Sequence, residues 1–200
     1  MAGQIKILNT FIHNLSMEET LSLVNDTINN KESIHHVVVN AGKIVQMQKD
    51  KQLHESVNNS DIINADGQAV VWAAKFLNKP LKERVAGIDL MENLVELAYK
   101  NNHKIYLFGA KEKVIKKLVS IYTNKYGKNL IAGYRNGYYG KDDEATIAKD
   151  IASSGANILF VAITSPKKEN FLYQFKNELK SVNFIMGVGG SFDVISGLTK

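Results

Sequence analysis

The sequence predicts an α/β protein of Rossmann-like type: a mostly parallel sheet with helices on both faces, preceded by a short N-terminal β-hairpin. Strand-like and helix-like segments alternate about every 25 residues, the signature of a sheet assembled from crossover units. Several apolar segments stop in small residues, as at Asn40-Ala41-Gly42, Gly109-Ala110 and Gly187-Val188-Gly189-Gly190-Ser191. Small strand ends let a ligand approach the backbone, and open α/β sheets bind ligands at that carboxyl edge. Two hundred residues, 44% hydrophobic and 22% charged, suit a single domain with a real core. No linker, repeat or low-complexity tract interrupts them.

The elements follow in order. Ile5–Leu8 and a partner near Phe11-Ile12 form the hairpin. Ser16-Met17-Glu18-Glu19 is a capping box, opening a helix with Leu21, Val24 and Ile28 inward. Ile34–Val39 is a β-branched strand, in which His35 and His36 point to opposite faces, one expected buried and one exposed. Helical segments cover about 43–58, and a strand (Ile62, Ile63) leads to Asn64-Ala65-Asp66-Gly67. An amphipathic helix with Val70, Val71, Trp72, Ala73, Ala74, Phe76 and Leu77 spans 68–78 until Pro80 breaks the chain, and another helix runs through Tyr99. Then come strand Lys104–Phe108, helix 112–125, strand Leu130–Tyr134, the turn-rich Arg135–Gly140 and helix 142–153. Strand Ile158–Ile163, helix 167–180 and strand Asn183–Met186 complete the sheet.

Composition removes several chemistries. With no Cys there are no disulfides, thiolate zinc sites or Cys nucleophiles, which fits a reducing interior. The five His show no zinc spacing, and neither a G-x-S-x-G elbow, a G-x-G-x-x-G fingerprint nor a P-loop occurs. Asp142-Asp143-Glu144 looks like a metal cluster but reads more simply as favourable charge at a helix start. No apolar run reaches the ~20 residues of a membrane span, and the N-terminus lacks a signal-peptide shape, so a soluble, cytoplasmic domain is expected. The net charge of +5 suits anionic ligands or an anionic membrane surface and is too scattered for a nucleic-acid groove.

Asp66 is the chemical focus. A strand ending in Asp-Gly and turning into a helix carries its carboxylate to the sheet edge, where it suits a general base. The plainer alternative is a cap on the following helix.

The strand-end segments, in order, resemble the WecG/TagA/CpsF family of bacterial glycosyltransferases over nearly the whole chain. The resemblance rests on Val39-Asn40-Ala41, Asn64–Gly67, Glu83–Leu90, Tyr106–Ala110, Asn136–Tyr139, Ser165–Glu169 and Gly187–Asp193. It implies a membrane-associated, inverting transferase, without metal or other cofactor, at the inner face of the plasma membrane. Such an enzyme moves N-acetylmannosamine or a related sugar from a UDP-sugar to a polyprenyl-diphosphate-linked N-acetylglucosamine, in teichoic acid or other surface-polysaccharide synthesis. No two Asp residues stand two apart, consistent with the absence of a metal-binding Asp-x-Asp pair. By the same resemblance Asp66 is the catalytic base, and Asn40 bonds a sugar hydroxyl or orients Asp66, the alternative being a turn residue. Arg84 matches a family Arg suited to a diphosphate, against a plainer role as a solvated loop charge. Gly109-Ala110 and Ser165-Pro166 precede helices and offer N–H groups to phosphate, with Pro166 suited to a first turn. Gly189, Gly190 and Asp193 contact the nucleotide; Tyr138 stacks on or bonds the uridine, or simply packs.

Three departures stand out. The family's Thr-Pro-Asn-Ala is Val38-Val39-Asn40-Ala41 here, and its Pro-Lys-Gln-Glu is Pro166-Lys167-Lys168-Glu169. A pocket hydroxyl is lost and an amide becomes a cation, Lys168, that attracts negative charge next to Glu169. Members continue into a basic, aromatic tail where this chain stops at Gly197-Leu198-Thr199-Lys200. The expectation is therefore one glycosyltransferase domain, 1–200, lacking a membrane-association tail, with no other amphipathic anchor legible and self-association left open. A non-catalytic nucleotide-sugar-binding paralogue and a dinucleotide-dependent oxidoreductase remain as alternatives.

Overall fold

A computed structural model describes residues 3–198 of the chain. Strands β1 (Gln4–Ile7) and β2 (Thr10–His13) pair antiparallel as the expected hairpin. The main sheet holds β3 (Ile34–Val39), β4 (Ile62–Ala65), β5 (Ile105–Gly109), β6 (Ile131–Arg135), β7 (Ile158–Ala162) and β8 (Phe184–Gly187). Their order is β4-β3-β8-β7-β5-β6, and every neighbouring pair is parallel. This is the α/β architecture that the alternation predicted.

Helices cover both faces, which is why the central strands read as continuous apolar runs. Helices α1 (Met17–Asn29), α5 (Gly87–Lys100) and α6 (Glu112–Tyr126) close over Leu107, Phe160 and Met186. On the opposite face, α7 (Glu144–Ser153) and α8 (Lys167–Gln174) cover Phe108, Val161 and Ile185. There the hairpin, α2 (Ala41–Met47), α3 (Lys51–Asn58) and α4 (Gln68–Phe76) pack on Val37, Val39 and Ile63. A short α9 (Ser191–Ile195) ends the described fold. No helix among the described residues is long and apolar enough to cross a membrane.

Local chemistry sets most boundaries. Ser16 and Glu19 form the reciprocal capping box, with the Glu19 N–H donating to Ser16 Oγ at 3.1 Å and the Ser16 N–H to Glu19 Oε2 at 2.8 Å. Val24 and Ile28 are buried beneath that helix and Leu21 is half-buried. The helical stretch expected over 43–58 divides, because Asp50 accepts the Leu53 N–H and starts a second helix. The helix expected to reach 180 ends at Gln174, with a separate 3-10 turn at Glu178–Ser181. Asp143 accepts the Gly140 N–H at 2.9 Å just ahead of α7, so the acidic run sits at a helix head.

Two expectations need correction. His35 and His36 are both buried, because a parallel sheet covered on each face leaves neither side to solvent. In α4 only Val70 and Ala74 are buried; Trp72 is 67% and Phe76 88% exposed. That helix flanks β4, the edge strand, and among the described residues no further layer covers its outer side.

The buried histidines make stability pH-dependent. Burial lowers the pKa of His35 and of His36 to about 4 from the usual 6.5, and the hydrogen bond that the His36 Nε2 makes to Asn64 Oδ1 offsets this only partly. A folded-state pKa below the unfolded value means that stability is fully present above pH 6.5 and is lost as pH falls towards 4. We expect a loss on the order of 3 kcal/mol per residue across that window. Urea unfolding between pH 7.5 and 4.5 measures it, and His36→Gln should flatten the slope. An identical slope in the variant would clear His36 of the effect.

Candidate active site

The strand ends converge on one edge. Past β3, Asn40 caps α2, its Oδ1 accepting the Lys43 N–H at 2.9 Å. Past β4, Asp66 does not cap α4, whose start at Gly67 has no side-chain cap. Its Oδ1 instead accepts the Gly87 N–H at the head of α5, at 3.0 Å. Val38 packs beside that donor, since a Cβ on Gly87 would lie 3.4 Å from Val38 Cγ2. Asn40 makes no hydrogen bond to Asp66; it packs instead on the next residue, where a Cβ on Gly67 would lie only 3.2 Å from Asn40 Cβ.

Past β5, Gly109 has φ +129°, and a Cβ there would lie 2.3 Å from the Ala162 carbonyl oxygen, so only glycine fits. The Ala110 N–H donates to that oxygen at 2.9 Å. The N–H expected to serve phosphate at Ala110 is thus already engaged within the sheet edge. Past β7, a cis Ser165–Pro166 bond leads into α8, which starts at Lys167 with Pro166 one position before it. Past β8, the Gly189 and Gly190 N–H groups donate to no protein acceptor among the described residues.

These ends enclose an open cavity of about 920 Å³. Of the residues singled out in the sequence, Asn40, Asp66, Ala110, Tyr138, Ser165, Lys168, Gly189, Gly190 and Asp193 line it. Gly109, Pro166 and Glu169 are not part of its lining. Arg84 also lies outside it, exposed, with Nη2 4.0 Å from the Asp89 carboxylate. Tyr138 stands at the rim, 69% exposed, while Tyr139 packs against Phe108 and carries the Lys167 ammonium 3.6 Å from its ring centroid. The sequence reading missed Lys43, Lys111 and Lys167 as lining residues. Lys43 had a signal in its position three residues after Asn40 on a helix head, and Lys167 in its place within the Ser165–Glu169 stretch.

The most unusual feature is a buried charge cluster. Glu169, 1% exposed, receives the Lys43 ammonium at 2.9 Å and the Lys168 ammonium at 3.5 Å. Lys43 also donates to the Val38 carbonyl at 3.2 Å. The Lys168 stem fills the space left by Gly187, where a Cβ would come within 2.6 Å of Lys168 Cε. Burial alone would raise the Glu169 pKa, but Lys168 and Lys43 together hold it down to about 2. Burial, reinforced by Lys43, lowers that of Lys168. Four lysines and two aspartates line the cavity, giving it an excess of positive charge.

A carboxylate anchored at one end of a lysine-rich cavity, on the carboxyl edge of a parallel sheet, has the make-up of an α/β enzyme site for an anionic small molecule. The chain belongs to the glycosyl transferase WecG/TagA/CpsF family, whose profile matches residues 5–200. It is similar to the N-acetylglucosaminyldiphosphoundecaprenol N-acetyl-beta-D-mannosaminyltransferase of Bacillus subtilis (strain 168), with 37% identity over 153 residues. That match spans 76% of this chain and 58% of the relative. The Staphylococcus aureus (strain NCTC 8325 / PS 47) protein of the same name is 30% identical over 200 residues, spanning 99% of this chain and 78% of its own length.

Removing the anion from the cluster should be costly. Glu169→Gln leaves the buried Lys168 ammonium and the half-buried Lys43 ammonium without their shared anion, and we expect a loss of about 3–5 kcal/mol in urea unfolding. Adding Lys168→Met, which keeps the stem against Gly187, should recover part of it. A wild-type urea midpoint in the single variant would show that the cluster carries no such coupling.

Proposed function

We propose that the protein transfers N-acetylmannosamine, or a closely related sugar, from a UDP-sugar to a polyprenyl-diphosphate-linked N-acetylglucosamine, with inversion at the anomeric carbon. The observation that carries this reading is Asp66, fixed by the Gly87 N–H at the β4 end of a lysine-lined cavity, in a chain of this family. The names of the two relatives give the sugar and the acceptor class. The reaction belongs at the cytoplasmic face of the membrane, where a lipid-linked acceptor meets a nucleotide-sugar, in synthesis of teichoic acid or a related surface polysaccharide.

Asp66 accepts the proton of the acceptor hydroxyl while that oxygen attacks the anomeric carbon. The bond from the anomeric carbon to the diphosphate breaks on the opposite side, and UDP leaves with the electron pair. Among the described residues only Oδ1 of Asp66 is held, so Oδ2 remains for the acceptor proton. Charge growing on the diphosphate is met by Lys43, Lys168, Lys111 and Lys167 and by the Gly189 and Gly190 N–H groups. In this scheme cations of the protein do the work of neutralising the leaving diphosphate. The Asn40 amide nitrogen makes no hydrogen bond among the described residues and can donate to a sugar oxygen, its Oδ1 being occupied by the cap. Ser165 and Tyr138 lie at the lining, Asp193 near the Gly189-Gly190 turn suits a ribose hydroxyl, and Arg84 would have to swing from Asp89 to reach a phosphate.

Two variants test the scheme. Asp66→Asn keeps an oxygen for the Gly87 N–H but cannot accept a proton, so turnover should fall by about 10²–10⁴-fold with UDP affinity nearly unchanged. Steady-state rates with a UDP-sugar and a lipid-linked acceptor measure this. Near-normal turnover would remove Asp66 from the mechanism. Lys168→Gln replaces a charge-assisted contact by a neutral one, costing donor binding about 1 kcal/mol, roughly fivefold, and lessening its salt dependence. Calorimetric titration at two ionic strengths would expose a Lys168 that serves only Glu169, because affinity would then not move.

A further inference from the structure

The outer side of α4 carries what no part of the site uses. Trp72 and Phe76, one turn apart on a helix, share a face, and Leu77 follows them half exposed. Residues 67–82 contain Lys75, Lys79 and Lys82 and no acidic residue. Lys82 is paired with Glu19, whereas Lys75 and Lys79 make no ion pair among the described residues. Tryptophan and phenylalanine flanked by free lysines are the composition of a helix that lies in a headgroup layer, its rings among the acyl chains and its cations at anionic lipids.

From these observations we propose that this face of α4 docks on an anionic lipid surface. The proposal rests on the lipid-linked acceptor of the reading above, and it names the element that brings the site to it. Helix α4 begins two residues after Asp66, and Gly67 between them packs against Asn40 at the head of α2. At 1.5 Å per residue, Trp72 lies about 9 Å along the chain axis from the catalytic carboxylate and Phe76 about 15 Å. A sugar held by a diphosphate at the headgroup level then arrives at the β4 end of the cavity, where Asp66 sits, while the nucleotide keeps the β8 end. Docking and catalysis use consecutive residues of one strand–helix unit.

Trp72 is the only tryptophan, so it reports directly on its own surroundings. With the whole chain and vesicles of phosphatidylglycerol and phosphatidylcholine, its emission should move to shorter wavelength and be quenched by brominated acyl chains. Pure phosphatidylcholine should produce a much smaller response. Phe76→Ser and the Lys75→Gln/Lys79→Gln pair should each weaken vesicle binding at least tenfold in co-sedimentation, with unchanged circular dichroism. Binding to vesicles without quenching of Trp72 would overturn the proposal. So would a blue shift that follows protein concentration without vesicles, together with a larger sedimenting species, because the face would then join two copies. Transfer to a water-soluble acceptor separates this proposal from the enzymatic reading. Phe76→Ser should leave it intact while slowing transfer to a vesicle-borne acceptor. Quenching in a protein that transfers no sugar would uphold the docking face and reject the activity.

Discussion

The parallel register of the main sheet is the constraint from which the rest follows. Six strands running the same way deliver six carboxyl ends to one edge, each with backbone groups that must be bonded or left for a ligand. Part of that demand is met internally, by the Ala110 N–H on Ala162 and the Val188 N–H on Val161. The Gly109 backbone can approach Ala162 closely enough only because it lacks a side chain. What remains unbonded, at Gly189 and Gly190, lies where the chain turns from β8 into α9 and lines the cavity. The cavity is thus a by-product of satisfying the sheet, and its chemistry comes from the few side chains that reach the same edge.

Those side chains divide by mechanism. Asp66 is positioned by a single backbone donor at the head of a long helix, an arrangement that orients a carboxylate without covering it. Lys43, Glu169 and Lys168 take the opposite course, burying two charges and half-burying a third, so that their mutual attraction must offset lost hydration. A cluster with two cations and one anion retains one positive charge at the cavity wall. This gives physical content to the replacement of the family's glutamine by Lys168: the cation is accommodated because Glu169 follows it and Lys43 approaches from another strand end. The family's threonine, Val38 here, turns an apolar surface to Gly87. The two changes therefore alter opposite properties, one adding charge and the other removing a hydroxyl.

How much was legible depended on distance along the chain. The capping box at Ser16, the strands and the turn at Asn64–Gly67 are local patterns, and local propensity wrote them plainly. The Asp66 carboxylate could be placed at an edge from the strand and turn alone, but not its partner, because Gly87 is 21 residues away. Lys43 and Glu169 are 126 residues apart, and no single-sequence pattern joins them. The alternation rule oriented His35 and His36 correctly to opposite faces, yet it could not say that both faces would be covered. The segment 70–77 is apolar nearly all round, so periodicity alone could not choose its inner side.

That last ambiguity has a structural cause. Which side of α4 is buried depends on strand order, since β4 is at the sheet edge and α4 packs mainly on the hairpin and on β4 itself. An edge strand with exposed backbone groups is normally a liability that a protein blunts or covers. Here the flanking helix supplies cover with Val70 and Ala74 and turns its larger residues, Trp72 and Phe76, outward. A helix selected for solubility alone would place small or charged residues there, because exposed aromatic rings forgo the stabilisation of burial. The arrangement makes sense where the outer environment is itself partly apolar, as the proposed docking of this face on a lipid surface would make it.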